Sequence, residues 1–484
     1  MAVVCRNRCL LLGRWQSRVG ELSSSKSKGE QQTCTRSSRR EHANVDFAFF
    51  AFVNNRWGLL SPARFSSSVD KFVLVPAGGG KRYISALVNV AVAEDVTLFV
   101  PCSGAGTTHE DAVAADLLRQ RRPDLRAIIQ DPSLVDELHE KDKYISLVRS
   151  YGLDAPHSAL VHSPEELLQL LGSPDQPPRI LKCAAELDDI GRSDLTTYPI
   201  KRGKRADWQA TEQRIRSLRI PITDKVPYIA QEFIGGAYTT EWCTHSTVID
   251  GQVRAFVCCP SNDMLMTYYP AHEHPIGKRT LDWTRKFLAR LAADERWSGR
   301  SLDGHYSFDF IHQPDAKSHP GDVDFFDRGR VVTIECNPRV HTAVGLLSGQ
   351  ADFGAVYDSD RAARENAPVM PNSNAVPMSW LAHDLPARLL PLVLPSPLRR
   401  LVHPLWLSHR DVARSNAAPS SSSLPGFFDL DAPGARDAAW DSSDPLPFFA
   451  LYHLMWPYLM ARQVFVRRRA WSRINVSTAR IFEC

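Results

Sequence analysis

A chain of 484 residues with 23% charged and 43% hydrophobic residues is no small cross-linked scaffold, and it is long enough for two or three domains, since single cores rarely grow beyond roughly 250 to 300 residues. The net charge of +4 is small and dispersed, which argues against nucleic acid as a partner and leaves small-molecule chemistry as the expectation. Ten cysteines form no CxxC pair and no Cys/His spacing of the zinc type, so reduced thiols are expected, and no run of about 20 apolar residues predicts a transmembrane span.

Residues 1–68 are biased toward Ser and Arg. The first twenty hold Arg6, Arg8, Arg14 and Arg18 and no acid, a composition that fits an organellar transit peptide as well as a disordered tail on a cytoplasmic protein. From Lys71, "KFVLVPAGGGKRYISALVNVAVAEDVTLFVP" reads as buried strand, glycine turn, helix and second buried strand, a βαβ unit implying a parallel sheet. Gly78, Gly79, Gly80 and Lys81 complete neither GxxxxGK[ST] nor GxGxxG, so a plain strand-to-helix turn is expected there.

Farther along, "KDKYISLVRSYG" predicts a helix over 141–152 that stops at its glycine. A second helix begins at Ser163, with Pro164 in its first turn and Glu166 closing a capping box. "RILKCA" (179–184) is a short strand, followed by the polar loop "ELDDIGRSDLTTYPIKRGKR" and the strand "YIAQEFI" (228–234). "TEWCTHSTVI" and "QVRAFVCC" predict a hairpin about Asp250 and Gly251. Helical spacing covers 281–295, and "HYSFDFIH" and "VVTIECN" read as strands. Prolines and serines make 374–443 irregular. The apolar stretch 445–466 reads as a buried helix pair, with contact at a membrane surface as the second reading because "RRR" follows at 467–469.

Alternation along a strand puts Glu335, Asn337 and Arg339 on one face, within about 14 Å of chain, and Ile334 and Cys336 on the other. Asp309 sits between Phe308 and Phe310 with the same alternation, so antiparallel pairing of the two strands would bring the carboxylates together. Asp and Glu oxygens joined by an amide oxygen are what Mg²⁺ takes. Two lysines suit phosphate oxygens: Lys182, inside an apolar strand, and Lys143, at a helix start.

In this order the parts resemble the ATP-grasp superfamily: "DKYISLVRSYGLDAP", "ILKCA", a glycine-bearing loop, "YIAQEFIGG", then "SFDFI" with "IECNPR", over roughly Lys71 to Ser348. The resemblance implies an α/β chain with α+β lobes: a Rossmann-like domain over 69–140, a two-lobed ATP-grasp domain over 141–360, and a partly helical extension over 361–484. It makes Lys143 and Lys182 the α- and β-phosphate lysines, with Lys182 also catalytic, and gives the adenine a hinge over Gln231, Glu232, Phe233 and Ile234. The loop Asp188–Thr197, with Gly191 and Ser193, would close over the triphosphate. Asp309, Glu335 and Asn337 become ligands of two Mg²⁺ ions, Mn²⁺ being an alternative, and Arg339 the catalytic arginine. The family's ribose glutamate after the hinge glycines is absent, Ala237 and Tyr238 standing there, which leaves Glu241 as its substitute.

"WSRINVSTARIFEC", "DDIGRSDLT" and "VHTAVGLL" are similar to the ATP-grasp enzymes of mycosporine biosynthesis, which join glycine to 4-deoxygadusol, a cyclohexenone. The resemblance thus implies a ligase that makes a C–N bond and releases ADP and phosphate, with Arg339 and His341 toward the substrate. A ligase joining a carboxylate to an amine or amino acid, and a nucleotide-binding protein without turnover, stay open beside it. Oligomeric state is not legible.

Overall fold

The computed structural model describes residues 2–6, 48–54, 58–76, 79–173, 176–183, 196–203, 205–261, 266–348, 350, 352–357, 367–380, 436–462 and 466. They form a mixed α/β structure, the class expected, that divides into two units. Unit 1 takes residues 1–135, 243–307 and 337–484, and unit 2 takes 136–242 and 308–336. Neither unit is one stretch of chain.

In unit 1, strands β1 (Ala2–Arg6), β2 (Ala48–Asn54), β3 (Lys71–Val75), β4 (Leu98–Pro101) and β5 (Arg126–Ala127) make a sheet of order β3-β2-β1-β4-β5. β1 runs antiparallel to β2 and β4, whereas β2 pairs parallel to β3 and β4 to β5. The expected parallel βαβ unit is therefore corrected. β3 and β4 run the same way, but two strands from the stretch read as an extension lie between them. An apolar run such as "FAFFAFV" satisfies its backbone polar groups by joining a sheet.

Helices α1 (Gly80–Ala93) and α2 (Thr108–Arg121) cover this sheet. Tyr83, Leu87, Val88 and Ala91 of α1 and Ala112, Ala115 and Leu118 of α2 enter one core with Val96, Phe99 and Ile129. Gly79 and Gly80 take φ of 71° and 72° at the start of α1. There the Gly80 N–H donates to Glu110 Oε1 at 3.2 Å, so an acid faces the turn. After α3 (Pro132–His139) the chain enters α4 (Lys141–Ser150), which ends at Tyr151 and Gly152, the glycine at φ 70°, the left-handed stop that glycine supplies most readily.

Unit 2 continues with β6 (Ser158–Val161), α5 (Pro164–Gly172), β7 (Arg179–Cys183), the short ribbon β8 (Lys201–Arg202) and β9 (Arg205–Ala206), α6 (Trp208–Arg216) and β10 (Tyr228–Glu232). Ser163 caps α5, its hydroxyl accepting the Glu166 N–H at 3.1 Å, while the Glu166 carboxylate reaches back to the His162 N–H at 2.6 Å. β10 pairs antiparallel with both β6 and β7. One face of that sheet packs Leu181, Cys183, Tyr228 and Ala230 against Leu167, Leu171 and Ile215.

The longest strands follow: β11 (Thr240–Ile249), β12 (Gln252–Pro260), the short β13 (Thr267–Tyr268), then helix α7 (Pro275–Ala293), β14 (Gly304–Gln313) and β15 (Arg330–Asn337). β11, β12, β14 and β15 form a sheet of order β12-β11-β14-β15. The β11–β12 hairpin turns at Asp250 and Gly251, both at positive φ (54° and 69°), as a primed two-residue turn requires. α7 starts six residues before the periodicity at 281 suggests, because His274 caps it by accepting the Ile276 N–H and Pro275 opens its first turn.

Near the C-terminal end, α8 (Leu446–Ala450), one π-helical turn (Leu451–Met455) and α9 (Trp456–Ala461) follow without a break. The expected buried helix pair is corrected to one half-covered helical run. Pro447, Ala450 and Leu459 are buried, while Leu446, Phe449, Leu454 and Tyr458 are exposed. The residues of "RRR" lie outside the described residues, and among those described no helix is long and apolar enough to cross a membrane.

Along β14, Phe308 and Phe310 are fully buried and Asp309 between them is half-buried, so this alternation holds the acid at the surface of the core. Phe308→Ala is expected to lower stability by about 3 to 5 kcal/mol, read as a fall in the denaturant midpoint.

Candidate functional site

The acids of β14 and β15 are positioned by one buried hydroxyl. Tyr144, on α4, is wholly buried and lies 2.5 Å from Thr333 Oγ1 on β15, and Thr333 Oγ1 donates to the Asp309 carbonyl at 3.3 Å. Thr333 has one proton and gives it to that carbonyl, so Tyr144 donates to Thr333. Burial holds the Tyr144 hydroxyl far above its ordinary pKa. The Cys336 thiol, Asp309 and Glu335 push it the same way, against the pull of the Thr333 hydrogen bond. Asp309 and Glu335 are therefore both close enough to act on one side chain.

Of the two lysines that begin α4, Lys141 is the one near these acids. Its Nζ lies 3.8 Å from Glu335 Oε2, and its side chain is 18% exposed. Lys143, singled out by sequence, has a side chain 45% exposed and paired with Glu140 at 2.9 Å. Lys182 stands on β7 opposite Ile229, on the face away from the buried Leu181 and Cys183.

The hinge is partly committed to other bonds. The Glu232 and Phe233 N–H groups donate to the carbonyls of His157 and Pro178, each at 2.7 Å. The Glu232 carboxylate accepts the His157 N–H at 3.0 Å and one N–H of Arg330 at 3.1 Å, and Arg330 also pairs with Asp154 at 2.9 Å. Gln231 is buried, Ile234 is buried, and Phe233 is 43% exposed. An adenine could use neither of those two N–H groups, which leaves it the walls and the remaining backbone of the segment. Glu241 is exposed on β11, and Gly191 and Ser193 lie outside the described residues.

Beyond Glu335, Asn337 closes β15, and its Oδ1 accepts from Arg339 Nη2 at 2.8 Å. The Arg339 carbonyl accepts the Ser307 hydroxyl at 2.9 Å, so this arginine is held at both ends. His341 caps the turn Thr342–Leu347, its Nδ1 accepting the Ala343 N–H at 3.1 Å, and it packs edge-on against Tyr268. The structure thus gives His341 a capping role beside the substrate role drawn from sequence. For magnesium the donor chemistry of Asp309, Glu335 and Asn337 fits, all three offering hard oxygens. Among the described residues no group of three or more His, Cys, Asp or Glu gathers as a metal cluster.

Sequence reasoning passed over Lys141, Tyr144 and Arg330. Only the first had a signal, being the other lysine of "KDK". Three histidines of unit 1 also went unmarked as a group: His245 stacks on His305 at 5.3 Å, and the His341 N–H donates to His245 Nδ1 at 3.3 Å. Burial drives His245 well below its ordinary value, with His305 and His341 adding to the effect. It takes His305 down to about 3, and His341, with help from Arg339, to about 4.

No family model matches the chain, and no curated protein matches it. Among solved structures it is similar to the biotin carboxylase of Campylobacter jejuni, at 13% identity and a TM-score of 0.40 over 61% of this chain and 60% of that one. It is also similar to the N5-carboxyaminoimidazole synthetase of Staphylococcus aureus, solved with ADP, at 13% identity and 0.42 over 70% and 77%. A third is the L-amino acid ligase of Bacillus licheniformis, at 14% and 0.34 over 58% of each chain. These likenesses are loose, and the chain spans about three fifths of the length of the biotin carboxylases it matches.

Two outcomes are expected. Tyr144→Phe leaves Thr333 without its donor and lowers stability by about 1 to 3 kcal/mol, measured by denaturant unfolding. Acidification weakens the fold through the three histidines: each folded pKa lies below the unfolded value near 6.5, so the unfolded chain binds protons first. Their contribution is complete above about pH 6.5 and is lost as the pH falls toward 4. The urea midpoint should drop between about pH 7.5 and 5, and drop less in His305→Gln.

Proposed function

We propose that the chain is an ATP-dependent ligase that forms a C–N bond through a phosphorylated intermediate and releases ADP and phosphate. The bond it forms joins glycine to 4-deoxygadusol, giving mycosporine-glycine. The ATP-dependent part is supported by one observation above others: the Lys141 ammonium lies 3.8 Å from Glu335, on the strand whose Thr333 hydroxyl donates to the Asp309 carbonyl. The substrate pair rests on the resemblance of the C-terminal "WSRINVSTARIFEC" and of the segments "DDIGRSDLT" and "VHTAVGLL".

In such a reaction the acceptor oxygen takes the γ-phosphoryl group as ADP leaves, and the amine then forms the C–N bond as phosphate leaves. Little covalent chemistry falls to the protein, which positions the reactants and meets developing charge. Asp309, Glu335 and Asn337 would hold Mg²⁺, whose chemistry is to neutralise charge on the phosphate oxygens. Lys182 and the lysines of α4 supply fixed cations for the α- and β-phosphates, and Lys141 joins Lys143 in that role because of its place beside Glu335. Arg339, braced by Asn337 and Ser307, steadies the transferred group. Phe233 and Ile234 wall the adenine, Glu241 takes the ribose, and the loop bearing Gly191 and Ser193 excludes water.

The test is ADP release with Mg²⁺, glycine and 4-deoxygadusol against a panel of carboxylates and amines, the product identified by mass. Turnover with 4-deoxygadusol is the expected result. Turnover with a carboxylate instead would make the chain a carboxylate–amine ligase, and ATP binding with no ADP release for any pair would leave a nucleotide-binding protein. Glu335→Gln is expected to lower turnover about 10²- to 10³-fold while nucleotide binding, read by calorimetry, is largely retained.

A further inference from the structure

We propose that a cleft within unit 1 is the subsite for the ammonium group of a small zwitterionic amino acid, held by Asp111 and Gln130 beside His305, with Arg339 toward its carboxylate. The ligase reading enters only in calling that ligand a substrate. The cleft is partly open, about 220 Å³ with the solvent at its mouth included, and is lined by Ser103, Thr108, Asp111, Gln130, His305 and Arg339, with apolar neighbours. Its innermost part admits roughly one water-sized group.

Asp111, Gln130 and His305 are 0%, 0% and 3% exposed, and each brings a polar atom without a partner. Asp111 Oδ1 accepts the Tyr83 hydroxyl at 2.7 Å, while Oδ2 has none. The Gln130 amide donates Nε2–H to the His305 carbonyl at 2.8 Å, which fixes its orientation and leaves Oε1 unpaired. Gly304 makes room for this amide, because a Cβ there would lie 2.6 Å from Gln130 Cδ. His305 keeps Nδ1 at 3.3 Å from Thr247 Oγ1, and its Nε2 is unpartnered.

Two bare acceptor oxygens, buried together, call for a ligand group rich in N–H donors. Burial pushes the Asp111 carboxyl up to about 6, against hydrogen bonds from Ser103 and Tyr83 that pull it down. At neutral pH it is therefore an anion held at a desolvation cost that a bound cation offsets. A primary ammonium brings three N–H groups and one positive charge in the volume of a water molecule. A quaternary amine brings the charge without the donors, and a guanidinium is too large for the inner space. The Arg339 guanidinium suits a carboxylate on the same molecule. Glycine is the smallest amino acid that carries both charged groups.

The full-length protein, free of nucleotide, is titrated calorimetrically with glycine, glycolate and N,N,N-trimethylglycine. Glycine is expected to bind, with the two analogues weaker by roughly tenfold or more. Asp111→Asn should weaken glycine by a similar factor and leave ATP binding unchanged. Equal binding of glycine and glycolate, an unchanged glycine affinity in Asp111→Asn, or no glycine binding because the cleft holds only water would each overturn the proposal. If Asp111→Asn does not fold, the wild-type ligand series decides alone. ADP release is not read in this experiment, so failure of the subsite and failure of the ligase reading remain distinct results.

Discussion

The Tyr144 hydroxyl is the contact on which the acid pair and its lysine depend. It donates to Thr333, which donates to the Asp309 carbonyl, so one chain of two hydrogen bonds ties α4 to β15 and β15 to β14. Helical geometry then selects the lysine. Lys141 precedes Tyr144 by three residues and shares its face, whereas Lys143 is turned about 100° away. That rotation is why Lys143 meets Glu140, one turn back, while Lys141 meets Glu335. Buried and far above its ordinary pKa, the tyrosine stays protonated at any physiological pH, so the chain keeps its direction.

What could be read from sequence was local. Alternation about Phe308 and Phe310 places Asp309 correctly because a strand allows only two faces, and the Asp250–Gly251 turn follows from two residues that tolerate positive φ. Which lysine of "KDK" lies beside Glu335 depends on the phase of α4 against β15, which no local pattern encodes. The use of the Glu232 and Phe233 amides by His157 and Pro178 is likewise hidden from a local reading, since it arises from contacts some 50 to 75 positions apart in the chain. For the same reason β1 and β2 stand outside the first sheet in a local reading: the stretch around them is rich in Ser and Arg, and their partners β3 and β4 lie later in the sequence.

Asp111, Gln130 and His305 carry a different lesson. Each alone is an ordinary polar residue on a helix, a loop and a strand, and only topology gathers them from three separated stretches. An unpaired buried polar atom costs about 1 to 3 kcal/mol, and a core built for stability alone would use apolar groups there. Three such atoms around one cleft indicate a site shaped for something other than the resting fold. The stacked, neutral His245 and His305 add to the burden on the same unit.

Chain continuity links the two sets of groups. From Glu335 through Asn337 to Arg339 is four residues, so their Cα atoms cannot be farther apart than about 14 Å of extended backbone. Arg339 is further restrained by Asn337 Oδ1 and by the Ser307 hydroxyl on its carbonyl.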